Sequence, residues 1–147
     1  MTLSEEIVSA AVSLSYDDIP TATVERAKLF LMDTVGVGLA GINAGGVTGV
    51  WELIDELAGA PEAKIFGRSQ KVPAPQAALA NSLMAHSRDF DDLYEAGGTH
   101  VNITVVPAVL AAAQKMGNVN GKQCLSALII GEDLICLLRI AVPLFRG

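Results

Sequence analysis

The chain has 147 residues, the length of one ordinary domain, and carries a net charge of −6. Because it has no clustered basic face, we expect no nucleic-acid partner. Hydrophobic residues make up 51% of the chain before its 14 glycines are counted, which exceeds the usual apolar share of a free-standing domain. This excess indicates either an oily core or a surface that packs against further structure.

Both cysteines fall in one predicted helix and point to a reducing compartment. Cys124 and Cys136 are twelve positions apart, which separates them by about 18 Å along a helix and prevents a disulfide between them.

The N-terminus lacks the basic and apolar regions of a signal peptide. Charged residues and a proline interrupt the apolar run 124–145, so a lipid span would be costly and no membrane partner is expected. We expect a cytoplasmic chain in which this run is a buried helix.

The spacing of apolar residues predicts a mainly helical chain. Thr2 and Glu5 have capping-box spacing and indicate where the first helix begins. Extended segments at 63–66 and 72–75 are expected to lie beside each other, and residues 87–104 are polar and irregular. The predicted helices span residues 2–15, 21–41, 50–57, 77–86, 107–116 and 122–141.

One glycine pattern resembles a nucleotide-binding fingerprint. The run Gly36-Val37-Gly38-Leu39-Ala40-Gly41 has G-x-G-x-x-G spacing. That fingerprint requires a helix that opens at the glycines, whereas the loop-forming residues 42–46 follow them here. We therefore predict that these small residues let two helices approach closely.

The titratable side chains are densest between His86 and His100, a segment that contains both histidines of the chain and four acidic residues. An imidazole beside a carboxylate commonly acts as the general acid or base in proton transfer near neutral pH. If the first part of this segment is helical, His86, Asp89 and Leu93 share one face and Asp91 points elsewhere. The alternative is an acidic, solvated helix end that His86 caps.

Residues 91–95 also have the D-D-x-x-E form with which helical isoprenoid synthases hold magnesium ions. The glycine-rich loop that follows Glu95 breaks the helix that such a cluster requires, and no second acidic cluster follows. A magnesium-dependent synthase is therefore the less favoured alternative.

Four stretches resemble the MmgE/PrpD family, which contains 2-methylcitrate dehydratase and cis-aconitate decarboxylase. The stretches are AKLFLMDTVGVGLAG at 27–41, ANSLMAHSRDFDD at 80–92, HVNITVVPAVLAAA at 100–113 and GKQCLSALIIGEDLIC at 121–136. The resemblance implies that residues 1–147 are an N-terminal fragment of a helical domain with one short β-hairpin. It further implies a longer parent enzyme that forms a homodimer.

The resemblance also implies a set of site residues. By position, Asp89 and His100 correspond to the catalytic acid and histidine, while Leu93, Asn102 and His86 correspond to substrate-binding positions. The implied activity is that of a lyase that dehydrates or decarboxylates a small polycarboxylate without a metal or an organic cofactor. His100 would carry a proton or bind a carboxylate, and Asp89 would orient a histidine or a substrate hydroxyl.

Three positions depart from the family pattern: Leu93 stands where the family often has threonine, Val101 where it often has proline, and Leu137 where it commonly has arginine. A tri-anionic substrate also needs several cations, and this segment offers Arg88 and a protonated His100. We therefore expect the isolated chain to be inactive. The competing interpretation is a non-catalytic helical remnant or an interaction module.

Overall fold

The structure is a computed structural model that describes residues 2–141. Its helices are α1 Leu3–Ser13, α2 Thr21–Ala40, α3 Val47–Leu57, α4 Ala74–His86, α5 Asn102–Met116 and α6 Gly121–Ala141. A short 3₁₀ turn, Tyr16–Asp18, precedes α2, and the antiparallel strands β1 Ala63–Lys64 and β2 Lys71–Val72 form a hairpin between α3 and α4. This architecture confirms the prediction of a mainly helical chain with one hairpin. Within the described range, no helix is long and apolar enough to cross a membrane.

The first helix begins at the predicted capping box. The Thr2 hydroxyl accepts the Glu5 backbone N–H at 3.3 Å, and the Glu5 carboxylate accepts the Thr2 backbone N–H at 2.7 Å. This capping box is the one that the sequence predicts. The helix ends at Ser13, slightly before the predicted Ser15. Helix α4 also has a favourable start, because Pro75 lies in its first turn.

Helix α5 begins earlier than the sequence predicts. It starts at Asn102 and runs through Pro107, whereas residues up to 104 were expected to be irregular and Pro107 was expected to open the helix. Proline cannot donate the hydrogen bond to the carbonyl one turn earlier, which normally disfavours an interior position. Here Pro107 is fully buried and α5 packs closely against α4, so tertiary packing overrides the local preference.

The glycine pattern of α2 serves helix packing. A Cβ at Gly38 would lie 2.9 Å from the Phe66 ring, and a Cβ at Gly41 would overlap the Met84 carbonyl of α4. Both glycines belong to the end of α2, where Gly41 is its C-cap, and do not open a helix. The structure thus agrees with the prediction of close helix approach.

Two hydrophobic clusters fill the described part of the chain, and α5 contributes to both. The first joins α3, the hairpin and α4, and includes Ala111 of α5. The second joins α2, α5 and α6, and includes Val106 of α5 and Val101 just before it. Helix α4 lies between α2 and α5. The C-terminal end of α4 and the N-terminal end of α5 are therefore held in a fixed relation.

The prediction that the last helix is buried is wrong for most of its length. Leu128 and Ile129 of α6 are buried, but Leu137, Leu138 and Ile140 are more than half exposed. A helix that is apolar on all sides needs neighbours on all sides. Within residues 2–141, α6 packs mainly against α2, α5 and the 3₁₀ turn, and these elements leave several of its C-terminal apolar side chains exposed.

A buried amide attaches the hairpin to α4. Asn81 is 2% exposed; its Oδ1 accepts the Phe66 backbone N–H at 2.8 Å, and its Nδ2 donates to the Lys64 carbonyl at 3.1 Å. Sequence pattern gave no reason to single out this residue, because an asparagine inside an Ala/Leu-rich helix has no periodic signature.

Replacement of Asn81 tests this attachment. Asn81→Ala leaves the partly buried Phe66 N–H and Lys64 carbonyl without their side-chain partner, each at a cost of about 1–3 kcal/mol. We predict a loss of roughly 2–5 kcal/mol in the free energy of unfolding, measured by urea denaturation. Asn118→Ala, at an exposed position, is the matched control and should change stability by less than about 0.5 kcal/mol. Equal stabilities of the two variants would contradict the assignment.

Candidate active site

The candidate site lies where the end of α4 meets the start of α5, and residues 87–101 connect the two. Helix α4 ends at His86, and the Ser87 hydroxyl donates to the Met84 carbonyl at 2.8 Å. The chain then turns through Asp89, whose φ of +52° lies in the left-handed region that aspartate tolerates better than most residues. This turn ends the helix and redirects the residues that follow it.

The second half of the connection is a narrow backbone turn that leads into α5. The Tyr94 N–H donates to the Thr99 carbonyl at 2.8 Å, and Gly98 supplies a positive φ of +56° inside the turn. Asp92 accepts the backbone N–H of Asn102, the first residue of α5, at 3.1 Å. A carboxylate at a helix N-terminus satisfies a free N–H and interacts favourably with the helix dipole. The position of His100, two residues before Asn102, is therefore defined relative to the start of α5.

Asp91 is the centre of the site. Its side chain is only 1% exposed, and its Oδ1 lies 3.1 Å from Nδ1 of His86. Its Oδ2 lies 2.7 Å from Nδ1 of His100, although the angle of this second contact is not that of a hydrogen bond. The two imidazole rings meet edge to face with their centres 4.9 Å apart. One buried carboxylate thus faces both histidines of the chain.

The structure brings together three of the five site residues implied by the resemblance. His86, Asp89 and His100 each place one potential ligand atom within 4.8 Å of the other two. Asn102 is 2% exposed, and its Oδ1 has no hydrogen-bond partner among the described residues. Leu93 is 55% exposed and stands apart from the histidine pair as an apolar side chain. The functional roles given to these five residues stay predictions.

The expectation that Asp91 points away from His86 is wrong, because it assumed a helix that continues past His86. The helix ends there, and the chain turns through Asp89, whose φ is +52°, so that the Asp91 carboxylate lies beside His86. Asp89 and Asp91 can then both face the histidines, while Phe90 between them is 82% exposed.

The same geometry weighs against the magnesium motif at 91–95. Its acidic residues lie in a turn after α4 and not on a helix face. Asp91 is engaged with two imidazoles and Asp92 with the Asn102 N–H. Two of the three carboxylates in the motif are therefore directed at protein groups.

Glu132 of α6 is a half-buried acid beside the site, and sequence reasoning did not single it out. Burial raises the pKa of its carboxyl to about 7, and nearby Asp92 and Asp133 raise it further. Its Oε1 has no hydrogen-bond partner among residues 2–141. Burial also raises the pKa of the Cys136 thiol, one turn further along α6, with Asp133, Glu132 and Asp92 adding to the effect. The environment between the loop and α6 thus favours the neutral, protonated forms of Glu132 and Cys136.

The chain is similar to a known protein family. The model of the MmgE/PrpD N-terminal domain matches residues 5–145. The chain belongs to the MmgE/PrpD family. This membership confirms the resemblance seen in the sequence, and it places the His86 to His100 segment inside the matched domain.

Several curated relatives are similar to the chain at low identity. A cis-aconitate decarboxylase of Aspergillus terreus is 26% identical over 135 residues, and the cis-aconitate decarboxylase-like protein oryM of Aspergillus oryzae is 27% identical over 137 residues. The cis-aconitate decarboxylase of Mus musculus is 23% identical over 137 residues. The matches cover 89–90% of this chain but only 28% of each of these relatives. The chain therefore spans little more than a quarter of their length.

The raised pKa of Glu132 predicts a pH-dependent stability. Because the folded pKa of about 7 exceeds the ordinary value of 4.5, the folded chain binds more protons than the unfolded chain in that window. Stability should then fall as pH rises from about 4.5 to about 7. Glu132→Gln removes this titration. The melting temperature of the variant, relative to that of the wild type, should therefore be higher at pH 8 than at pH 5.

The control for this experiment is Glu56→Gln, which removes the same charge from an exposed position of α3. Thermal unfolding is followed by circular dichroism at both pH values. A difference between Glu132→Gln and the wild type that does not change with pH would contradict the assignment.

Proposed function

We propose that the chain carries the acid/base part of the active site of a lyase that dehydrates or decarboxylates a small polycarboxylate. The observation that supports this most is the buried Asp91 carboxylate that faces the imidazoles of both His86 and His100. The relatives that are named cis-aconitate decarboxylases make a cis-aconitate-like substrate the first choice. Because the chain covers 28% of these relatives, the activity is a property of a longer enzyme.

The proposed chemistry follows from the orientation of the imidazoles. A carboxylate that faces Nδ1 favours the tautomer with its proton on that nitrogen, which leaves the Nε2 lone pair available as a base. Decarboxylation breaks a carbon–carbon bond, releases carbon dioxide and leaves an electron pair on carbon that must take up one proton. A protonated His100 supplies that proton, and Asp91 stabilises the positive charge on the ring beforehand.

Asp89 and Asn102 have supporting roles in this proposal. Asp89 is exposed at the mouth of the histidine pair, where it orients a histidine or a substrate hydroxyl. Asn102 lies at the first turn of α5 and has an amide oxygen that lacks a partner within the described residues. His86 shares Asp91 with His100 and faces the same substrate.

Binding of cis-aconitate tests the substrate class. We predict that it shifts the imidazole NMR signals of His86 and His100 in a saturable way, while the monocarboxylate crotonate at equal concentration shifts them much less. Asp91→Asn should weaken the response at least about tenfold, because both imidazoles lose the carboxylate that orients them. Glu52→Gln removes an exposed carboxylate of α3 that forms no ion pair among the described residues, and is the control. No imidazole response to millimolar cis-aconitate from a folded chain would contradict the proposal.

Turnover by the 147-residue chain should be absent or very slow. A substrate with two or three carboxylates needs several cations, and between residues 86 and 102 the only lysine or arginine is Arg88. We predict that chromatography detects no loss of cis-aconitate or 2-methylcitrate after prolonged incubation. Clear turnover by the purified chain would overturn the expectation that it is an incomplete enzyme, and would strengthen the lyase assignment.

A non-catalytic interaction module is the second candidate, and the exposed apolar side chains of α6 favour it. Leu137, Leu138 and Ile140 are well exposed on the same helix that bears Glu132. A stable, monodisperse chain that binds no polycarboxylate would support this function over the lyase.

A further inference from the structure

His86, Asp89 and His100 form a compact group of potential metal ligands. One ligand atom of each lies within 4.8 Å of the other two, and the three residues come from the end of α4, the turn after it and the loop just before α5. Two imidazoles and one carboxylate are a frequent ligand set for Zn²⁺ and related divalent ions. We propose that these three residues bind a divalent transition-metal ion of the zinc class.

The buried Asp91 is the kind of group that orients ligand histidines from behind in metal sites. A histidine that binds a metal through one ring nitrogen almost always directs the other nitrogen at a carboxylate, a carbonyl or water. Asp91 lies beside both rings: its carboxylate is 3.1 Å from Nδ1 of His86 in hydrogen-bond geometry and 2.7 Å from Nδ1 of His100 in a close ionic contact. Because both Nδ1 atoms face Asp91, the proposed ion binds each ring through Nε2.

A modest movement of exposed side chains completes the geometry. A tetrahedral ion bound at about 2.0–2.2 Å requires ligand atoms roughly 3.3–3.6 Å apart, so separations of up to 4.8 Å must shorten by up to about 1.5 Å. The His86 side chain is 49% exposed and Asp89 is exposed, so both are able to move inward. Asp91 is almost fully buried and fixes the rings while they do so.

Three protein ligands leave the fourth position of a tetrahedral ion open. A bound ion would occupy the Nε2 atoms that act as bases in the proposed lyase chemistry. The ion and the polycarboxylate therefore compete for the same side chains. This competition rests on the proposed function, whereas metal binding itself does not.

Titration of the metal-free chain with Zn²⁺ and Co²⁺ tests the site directly. Calorimetry should show roughly one Zn²⁺ per chain, and bound Co²⁺ should give the visible absorption bands of a low-coordinate site. Asp89→Asn and His100→Gln should each weaken binding by about tenfold or more. Asp91→Asn, which alters the second layer only, should weaken it by roughly 10–100-fold.

The control is Glu95→Gln, which removes an exposed carboxylate from the same loop outside the group and should leave the affinity unchanged. Circular dichroism and thermal unfolding establish that each variant is folded. Asp89 is exposed, so its substitution tests the site even if Asp91→Asn fails to fold. The absence of saturable binding by the folded wild type, or binding that Asp89→Asn and His100→Gln leave unchanged, would overturn the proposal. An equal response to Mg²⁺ would also overturn it, because that ion prefers oxygen ligands.

The metal and polycarboxylate titrations are run separately, because polycarboxylates chelate metals in solution. Binding of cis-aconitate without metal binding counts against the metal site alone. Metal binding without an imidazole response to cis-aconitate counts against the lyase function alone.

Discussion

The carboxylate of Asp91 lies between two imidazoles in a place where water is almost excluded, and the arrangement of the candidate site depends on that contact. A buried charge is costly unless other polar or charged groups face it. The groups that face Asp91 come from the last residue of α4 and from the loop just before α5. The packing of those two helices therefore determines whether the site exists, and the site in turn holds their ends together.

The surrounding structure holds the loop from two sides. From α2, the close contact of Gly41 with the Met84 carbonyl fixes the last turn of α4. From α6, Arg139 donates from Nε to the Gly97 carbonyl at 2.6 Å, and Glu132 places a half-buried acid near Asp92. Positioned side chains on such a support are what acid/base chemistry requires, because a proton moves efficiently only over hydrogen-bond distances.

The parts of the fold that the sequence predicted are those with local causes. The capping box at Thr2 determines the start of α1, and the glycines of α2 determine how near α4 can lie. The start of α5 was missed because Pro107 is a helix breaker by local rules and is tolerated here through packing that local rules do not contain. The exposure of Leu137 and its neighbours was missed for the opposite reason, since composition alone does not say which faces of α6 have neighbours.

The sequence predicted the segment that contains the site but not the side-chain contacts within it. Histidine and aspartate density located residues 86–100, which lie within the matched family domain. The role of Asp91 depended on where α4 ends, and helix ends are the least predictable feature of a helix. The environment of Glu132 depends on residues forty positions away in the chain, which no local pattern reveals.

Long-range ¹H–¹⁵N NMR of the imidazole nitrogens, at a pH where the rings are neutral, tests the central claim most directly. If Asp91 faces Nδ1 of both rings, His86 and His100 should carry their proton on Nδ1 in the wild type and revert towards Nε2–H, the form that free imidazole side chains prefer, in Asp91→Asn. Predominantly Nε2–H rings in the folded wild type, unchanged by the substitution, would contradict the account.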